Sequence, residues 1–251
     1  MEIFADVRMG FGRIQSFLYV CLMEHILDNP AWSALISGNK NLSLGNEQIK
    51  YFDEEVSPFV AFNENTAANF RALYNLLPHS SPVLFVAPVE TEIPSEWEVL
   101  KFIRGQQMVC DGEPNQEEIR CELVSLTSEH VPQMYALAKL TNPGPFESRT
   151  IEFGHYYGIF DNDQLVAMAG QRLHPFNYAE VSAVCTRPDH TGKGYARQLI
   201  LNQIRRIRAV SKIPFLHVRV ANERAIKVYK DLGFSTRINV YFYYMQKQGS
   251  Q

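Results

Sequence analysis

The chain is 251 residues long, 46% hydrophobic and 20% charged, an ordinary globular composition that can bury one large core or two smaller ones. A formal net charge of -3 and a pI near 6.2 give no electrostatic footprint for phosphate backbones or anionic membranes, so neither nucleic acid nor a membrane is an expected partner. Cys21, Cys110, Cys121 and Cys185 are scattered and show no C-x-x-C spacing, which reads as reduced thiols in a cytoplasm rather than a disulfide framework.

The first half alternates helical and extended patterns without a recognisable site. The apolar run Phe17 to Met23 is seven residues, too short to span a bilayer. Glu2 and Asp6 precede Arg8, whereas a secretory leader needs a basic start, so residues 14–27 read as an amphipathic or buried helix. Without export, the sequon Asn41-Leu42-Ser43 carries no meaning. Phe70, Leu73, Tyr74 and Leu77 recur at helical spacing, predicting a helix over 65–77, and Pro78 to Pro82 breaks it before a buried strand over 83–87. The polar stretch Asp111 to Glu118 predicts an exposed connection and a domain boundary, with a smaller α/β domain over 1–117 and a second domain over 118–251.

The second half reads as one continuous α/β unit. Cys121 to Leu126 is strand-like, and Ser128 caps a helix that places Val131, Met134, Tyr135 and Ala138 on one face. Thr141-Asn-Pro-Gly-Pro145 ends it. Extended runs over 155–160 and 165–173 flank the turn Asp161-Asn-Asp163 as a hairpin, and 180–186 is a third strand. Ala196, Leu199, Ile200, Ile204 and Ile207 then share one helical face, leaving Arg197, Gln203, Arg205 and Arg208 mostly to the surface. A strand over 214–220, a short helix over 222–231 ended by Gly233, and a strand over 240–245 complete the unit.

The segment Cys185-Thr-Arg-Pro-Asp-His-Thr-Gly-Lys-Gly-Tyr-Ala-Arg197 joins a strand to the long helix. Glycines let backbone N–H groups approach an anion, and a helix N-terminus adds partial positive charge, so a pyrophosphate fits there; a plain tight connection is the alternative. No Ser or Thr follows Lys193, which excludes a P-loop, and the third glycine of a dinucleotide fingerprint is absent.

The run Glu180 to Arg197, followed by Asn222-Glu-Arg-Ala-Ile-Lys-Val-Tyr229 and Leu232-Gly-Phe234, resembles the GNAT superfamily of N-acetyltransferases, and more narrowly its glycine N-acyltransferase-like branch. The resemblance covers residues 120–247. It implies a mixed, mostly antiparallel C-terminal sheet with helices on both faces; the first half is either a smaller α/β domain of its own or a degenerate copy of the same fold. It also implies acetyl-CoA or another acyl-CoA as co-substrate, a primary amine as acceptor and no metal. In such a protein the main chain of Val184, Cys185 and Thr186 pairs with the pantetheine arm. Thr191, Gly192, Lys193, Gly194, Tyr195, Ala196 and Arg197 line the pyrophosphate, with Thr191 departing from the family's usual Gln or Arg. Asn222 contacts the cofactor, Tyr229 is the acid for the leaving thiolate, and Glu180, six residues before Thr186, is the base.

Each residue also has a plain structural reading: Glu180 as a surface strand residue paired to a lysine, Tyr229 as a packing aromatic. His174, His190 and His217 are reserve bases, His217 beside the cleft. Strand alternation points Cys185 away from the face of Glu180, against an acyl-cysteine route. A non-catalytic acyl-CoA-binding module and a protein acetyltransferase are the competing functions. No metal-ligand spacing and no G-x-S-x-G elbow occur in the chain.

Overall fold

The structure, a computed structural model, describes residues 25–112 and 117–249; the helix expected over 14–27 lies outside them up to residue 24. Three short strands, β1 (Leu44–Gly45), β2 (Ile49–Tyr51) and β3 (Val60–Phe62), form a small antiparallel sheet. An eight-stranded sheet holds β4 (Val83–Ala87), β5 (Trp97–Val109), β6 (Val124–Ser125), β7 (Tyr157–Asp161), β8 (Gln164–Gln171), β9 (Tyr178–Thr186), β10 (Ile213–Arg219) and β11 (Ser235–Lys247) in the order β4-β11-β5-β10-β9-β8-β7-β6. All neighbours are antiparallel except β9 and β10.

The helices are α1 (Pro30–Leu35), α2 (Ala67–Leu76), α3 (Val131–Thr141), α4 (Tyr195–Ala209) and α5 (Glu223–Asp231). One face of the sheet is covered by α1, α3 and the loop around Phe52 to Phe59, which share a core with Met168, Phe215 and Phe242. The other carries α2 over β4 and β11, and α4 with α5 over β9 and β10. Leu84 and Val86 enter the first core while Val83, Phe85 and Ala87 enter the second, so β4 is covered on both faces and reads as an unbroken apolar run. No helix among the described residues is long and apolar enough to cross a membrane.

Local signals set the ends of the elements. Thr66 caps α2 with its side chain accepting from Asn69 N, and Asn142 ends α3 in the left-handed region. Asn162 and Asp163, both with positive φ, make the two-residue turn that suits the right-handed twist of a hairpin.

Other expectations change. The polar connection divides the chain but not the sheet: β5, from the first half, lies between β10 and β11 and pairs with both. The strand expected over 121–126 shrinks to β6. Thr127, not Ser128, stands at the cap leading into α3, and that helix buries Met134, Leu137 and Ala138 while Tyr135 faces outward. Gln203 is fully buried in α4, where its amide donates to the main chain of His155 and Ala169 and accepts from Gln171. Nor do the arginines at the end of α4 form a free solvated face. Arg205 bonds the Glu117 carbonyl and Arg208 those of Cys110 and Gly112, which fastens the described ends of the connection to the helix, while Arg206 lies over Tyr157 of β7.

Gly170 in β8 leaves room for the Tyr156 ring; a Cβ there would fall 2.3 Å from the nearest ring carbon. Gly170→Ala is expected to lose about 1–3 kcal/mol of stability through overpacking, read as a lower urea midpoint at unchanged slope.

Candidate active site

The parallel pair β9 and β10 holds together for only three positions, Tyr178, Ala179 and Glu180 against Ile213, Pro214 and Phe215. Beyond them β9 stays with β8 and β10 stays with β5, so the strands part and open a cleft of about 500 Å³. Along its β9 wall the ladder with β8 skips from Gly170↔Ser182 to Met168↔Cys185. Two residues, Ala183 and Val184, therefore oppose Ala169, and Ala183 takes a φ of 52°. This bulge turns β9 main chain towards the cleft, where no strand pairs with residues 181–186 among the described residues.

At the cleft's inner end Glu180, 1% exposed, is held by three side-chain donors. Arg172 Nε reaches Oε2 at 2.9 Å and Nη2 reaches Oε1 at 2.6 Å; His217 Nδ1 lies 2.8 Å from Oε1. Burial pushes the carboxyl up, but the Arg172 charge and the hydrogen bonds from His217 and Arg172 outweigh it and hold Glu180 well below the usual carboxylate range. Arg172 stacks on Phe59 at 4.7 Å. Glu180 is thus neither a surface residue nor paired to a lysine.

Tyr229 of α5 also lines the cleft, and burial pushes its phenol up to about 12, so it keeps its proton at neutral pH. Asn222 caps α5, its Oδ1 accepting from Ala225 N at 3.2 Å, which leaves its amide donors for the cleft it lines. Val184, Cys185 and Thr186 line the same wall; the Thr186 hydroxyl is buried with no hydrogen-bond partner among the described residues.

The bulge overturns the expected orientation of Cys185. Its extra residue shifts the alternation by one, so Cys185 packs in the same core as Met168 and Tyr156, on the side where Glu180 meets Arg172. The thiol is nonetheless quiet: burial pushes it up to about 12, leaving almost no thiolate at neutral pH.

Gly192, Lys193 and Gly194 form the turn before α4, both glycines near φ 80°, a region a Cβ disfavours, and Tyr195, Ala196 and Arg197 make the first helical turn. This turn lies beyond the cleft lining. Thr191 turns its hydroxyl onto the Pro188 carbonyl at 2.9 Å, and the Arg197 guanidinium is engaged by Glu117. Of the reserve histidines, only His217 touches Glu180. His190 binds Asp161 and Asp189 at the surface, while burial first, then Lys212 and His155, pulls His174 down to about 4.

Arg172 was not singled out by the sequence reading, although a lone arginine closing the apolar run of β8 was the available signal. Phe59, Leu84 and Ile103 bring the first half into the cleft wall, facing the loop Thr141 to Pro145. No cluster of three or more His, Cys, Asp or Glu side chains is placed to hold a metal among the described residues.

The family model described as FR47-like protein matches residues 156–243. The crystal structure of a protein described as an acetyltransferase of the GNAT family, from Novosphingobium aromaticivorans, shares 33% identity and covers 90% of this chain and 100% of its own, with a TM-score of 0.83. A GCN5-related N-acetyltransferase-like protein from Streptococcus suis (13% identity, 93% and 98% covered, TM-score 0.58) and a GCN5-related N-acetyltransferase from Kribbella flavida (13%, 88% and 96%, 0.55) share the fold. Among curated proteins none matches the chain.

Glu180→Gln leaves Arg172 buried without its anion and is expected to cost about 3–5 kcal/mol at neutral pH. Because the folded carboxyl lies below its ordinary value of 4.5, its contribution is complete above that value and is lost as pH falls beneath it. Denaturation of both proteins from pH 7 downward should show the gap narrowing only in acid.

Proposed function

The chain belongs to the GNAT family, and on that premise we propose that it is an N-acyltransferase that moves an acetyl or other acyl group from acyl-CoA to a primary amine by direct attack. The observation that carries this reading is the parting of β9 from β10 beside a bulge. It supplies unpaired main chain to align an extended thioester arm, and the main chain around Val184 and Cys185 is the donor proposed for the carbonyl oxygen as it gains charge. The glycine-bounded N-terminus of α4, which follows β9 in the chain, is the anion site proposed for the pyrophosphate.

In this reading Thr186 and Asn222 offer polar contacts to the arm, the former through its unpartnered hydroxyl. Tyr229 gives its proton to the leaving thiolate. The acceptor attacks as the neutral amine, since an ammonium has no lone pair, and the N–H made acidic by C–N bond formation then loses a proton. Glu180 is the proposed acceptor for that proton, directly or through water. Its clamp by Arg172 makes it a weak base, so transfer comes late, once bond formation has made the N–H more acidic. A cleft walled by Phe59 and Leu84 on one side and Thr141 to Pro145 on the other supports a small molecule or amino acid over a protein chain as acceptor. Glu180 at the inner end of this cleft is the feature that supports the glycine N-acyltransferase-like branch.

The test is CoA release from acetyl-CoA with a panel of amino acids, polyamines and small amines. Turnover with at least one acceptor is expected, and Tyr229→Phe should lower kcat by roughly 10²–10⁴-fold while acetyl-CoA still raises the Tm. A Tm shift without turnover across the panel would favour a binding module; no shift with any acyl-CoA would remove the cradle assignment.

The pH profile follows from the two shifted groups. Glu180 stays ionised through the mildly acidic range, so kcat/KM should rise with pH only as the acceptor amine deprotonates, near ~10 for an alkyl amine. Tyr229, raised to about 12, should impose no fall below that region. A descending limb near neutrality would remove Tyr229 as the acid.

A further inference from the structure

Gln107 lies near the C-terminal end of β5 with no exposed surface, and its register partner in β10 is His217. In an antiparallel pair such residues share a face, and the Gln107 Nε2 and His217 Nε2 atoms lie 3.1 Å apart. An amide can be turned end for end, so the chemistry of that contact depends on which end is which. Two other partners decide it. Arg237 Nε donates to Gln107 Oε1 at 2.7 Å, and Gln107 Nε2 donates to the Leu27 carbonyl at 2.8 Å. Turned over, the amide would set oxygen against oxygen and N–H against N–H at once.

With the amide so fixed, the remaining Gln107 N–H points at His217 Nε2, which must therefore be the unprotonated, accepting nitrogen. The other ring nitrogen, Nδ1, faces a carboxylate that accepts only. Both ends of the imidazole give the same answer. We infer that Gln107 is a positioning residue which locks His217 as its neutral, Nδ1-protonated form and thereby makes the histidine a fixed donor to Glu180 rather than a base.

The lock is braced from three parts of the chain. Arg237 is the extra residue of a bulge in β11, between Thr236↔Met108 and Ile238↔Gln107, and the bulge aims it inward, where it also pairs with Asp28. Leu27 anchors the other amide proton. Phe215 and Phe242 pack edge-on to the His217 ring, and its charged surroundings are Glu180 with Arg172 on one side and Arg237 behind Gln107 on the other. A second proton on His217 would put N–H against N–H, so the ring adds no charge to the cleft.

The role rests on the acyl-transfer reading, but the tautomer does not. In isotopically labelled full-length protein without substrate, the imidazole nitrogens of His217, assigned through its own ring carbons, report their protonation directly. At pH 7 Nδ1 should be protonated and Nε2 bare. Gln107→Glu places an acceptor opposite Nε2 and should protonate both nitrogens; Nδ1 keeps donating to Glu180, but the added charge weakens the carboxylate further as a base and lowers kcat by about 10–100-fold, while the KM for acetyl-CoA and its Tm shift remain. A wild-type ring protonated at Nε2 overturns the lock, as does an unchanged His217 spectrum in Q107E. A doubly protonated ring with full kcat overturns the positioning role. If the variant fails to fold, the wild-type spectrum still decides the tautomer, and absence of turnover in every protein would fall on the acyl-transfer reading alone.

Discussion

Two parallel strands that pair for three residues and then separate set the terms for the rest of this molecule. Each strand needs a partner for its main chain on the side away from the gap: β8 serves β9 and β5 serves β10. The gap itself leaves main-chain groups that a solvated or ligand-lined cleft must satisfy, since burying them unpaired carries a penalty. The bulge at Ala183 and Val184 belongs to the same arrangement, because it interrupts the ladder with β8 along the cleft before pairing resumes at Cys185 and Thr186.

At the fork of the two strands lies the heaviest electrostatic commitment of the fold. Desolvating Arg172 and Glu180 is costly, and the attraction between them compensates only because the contact is bidentate and each carboxylate oxygen has further donors, His217 on one and the weaker Leu173 amide on the other. A hydrophobic pair could fill the same volume with less strain on solvation. What an ion pair adds is a charged group held in one orientation at the end of the cleft, with Phe59 stacked on its cation. The same clamp that fixes the carboxylate also weakens it as a base, so orientation and basicity are in tension at this residue.

Much of the second half was legible because its signals are local. The Asn142 ending of α3, the Asn162-Asp163 turn and the two-glycine turn before α4 each depend on a few neighbouring residues. Of the residues expected at the site, Glu180, Val184 to Thr186, Asn222 and Tyr229 line one cleft, whereas Thr191 to Arg197 lie outside its lining. What could not be read depends on partners distant in sequence. Nothing in Trp97 to Val109 announces that it will lie between β10 and β11. Gln203 looks like a surface residue until β8 approaches with carbonyls to satisfy. Cys185 was assigned to the wrong face because alternation counts residues and a bulge adds one, an event specified by pairing with β8 rather than by the strand's own sequence. The buried pairing of Glu180 likewise needed Arg172, which the hairpin brings back to it.

The placement of β5 also changes what the first half of the chain is for. A separate domain would meet the cleft only as a neighbour, through a surface free to move. Here the first half contributes a strand to the same hydrogen-bonded sheet, a shared core through Leu27, Phe52 and Phe59, and Gln107 against His217. Asn39 adds a further tie, bonding the main chain of Arg172 and His174 where β8 ends. The cleft's inner wall is therefore built from both halves, and its rigidity follows from sheet cooperativity rather than from an interface. A polar connection in the sequence marks where the chain leaves the core, which is a weaker statement than where one folding unit ends and another begins. In this protein Arg205 and Arg208 of α4 hold the described ends of that connection, Cys110, Gly112 and Glu117, on the helix.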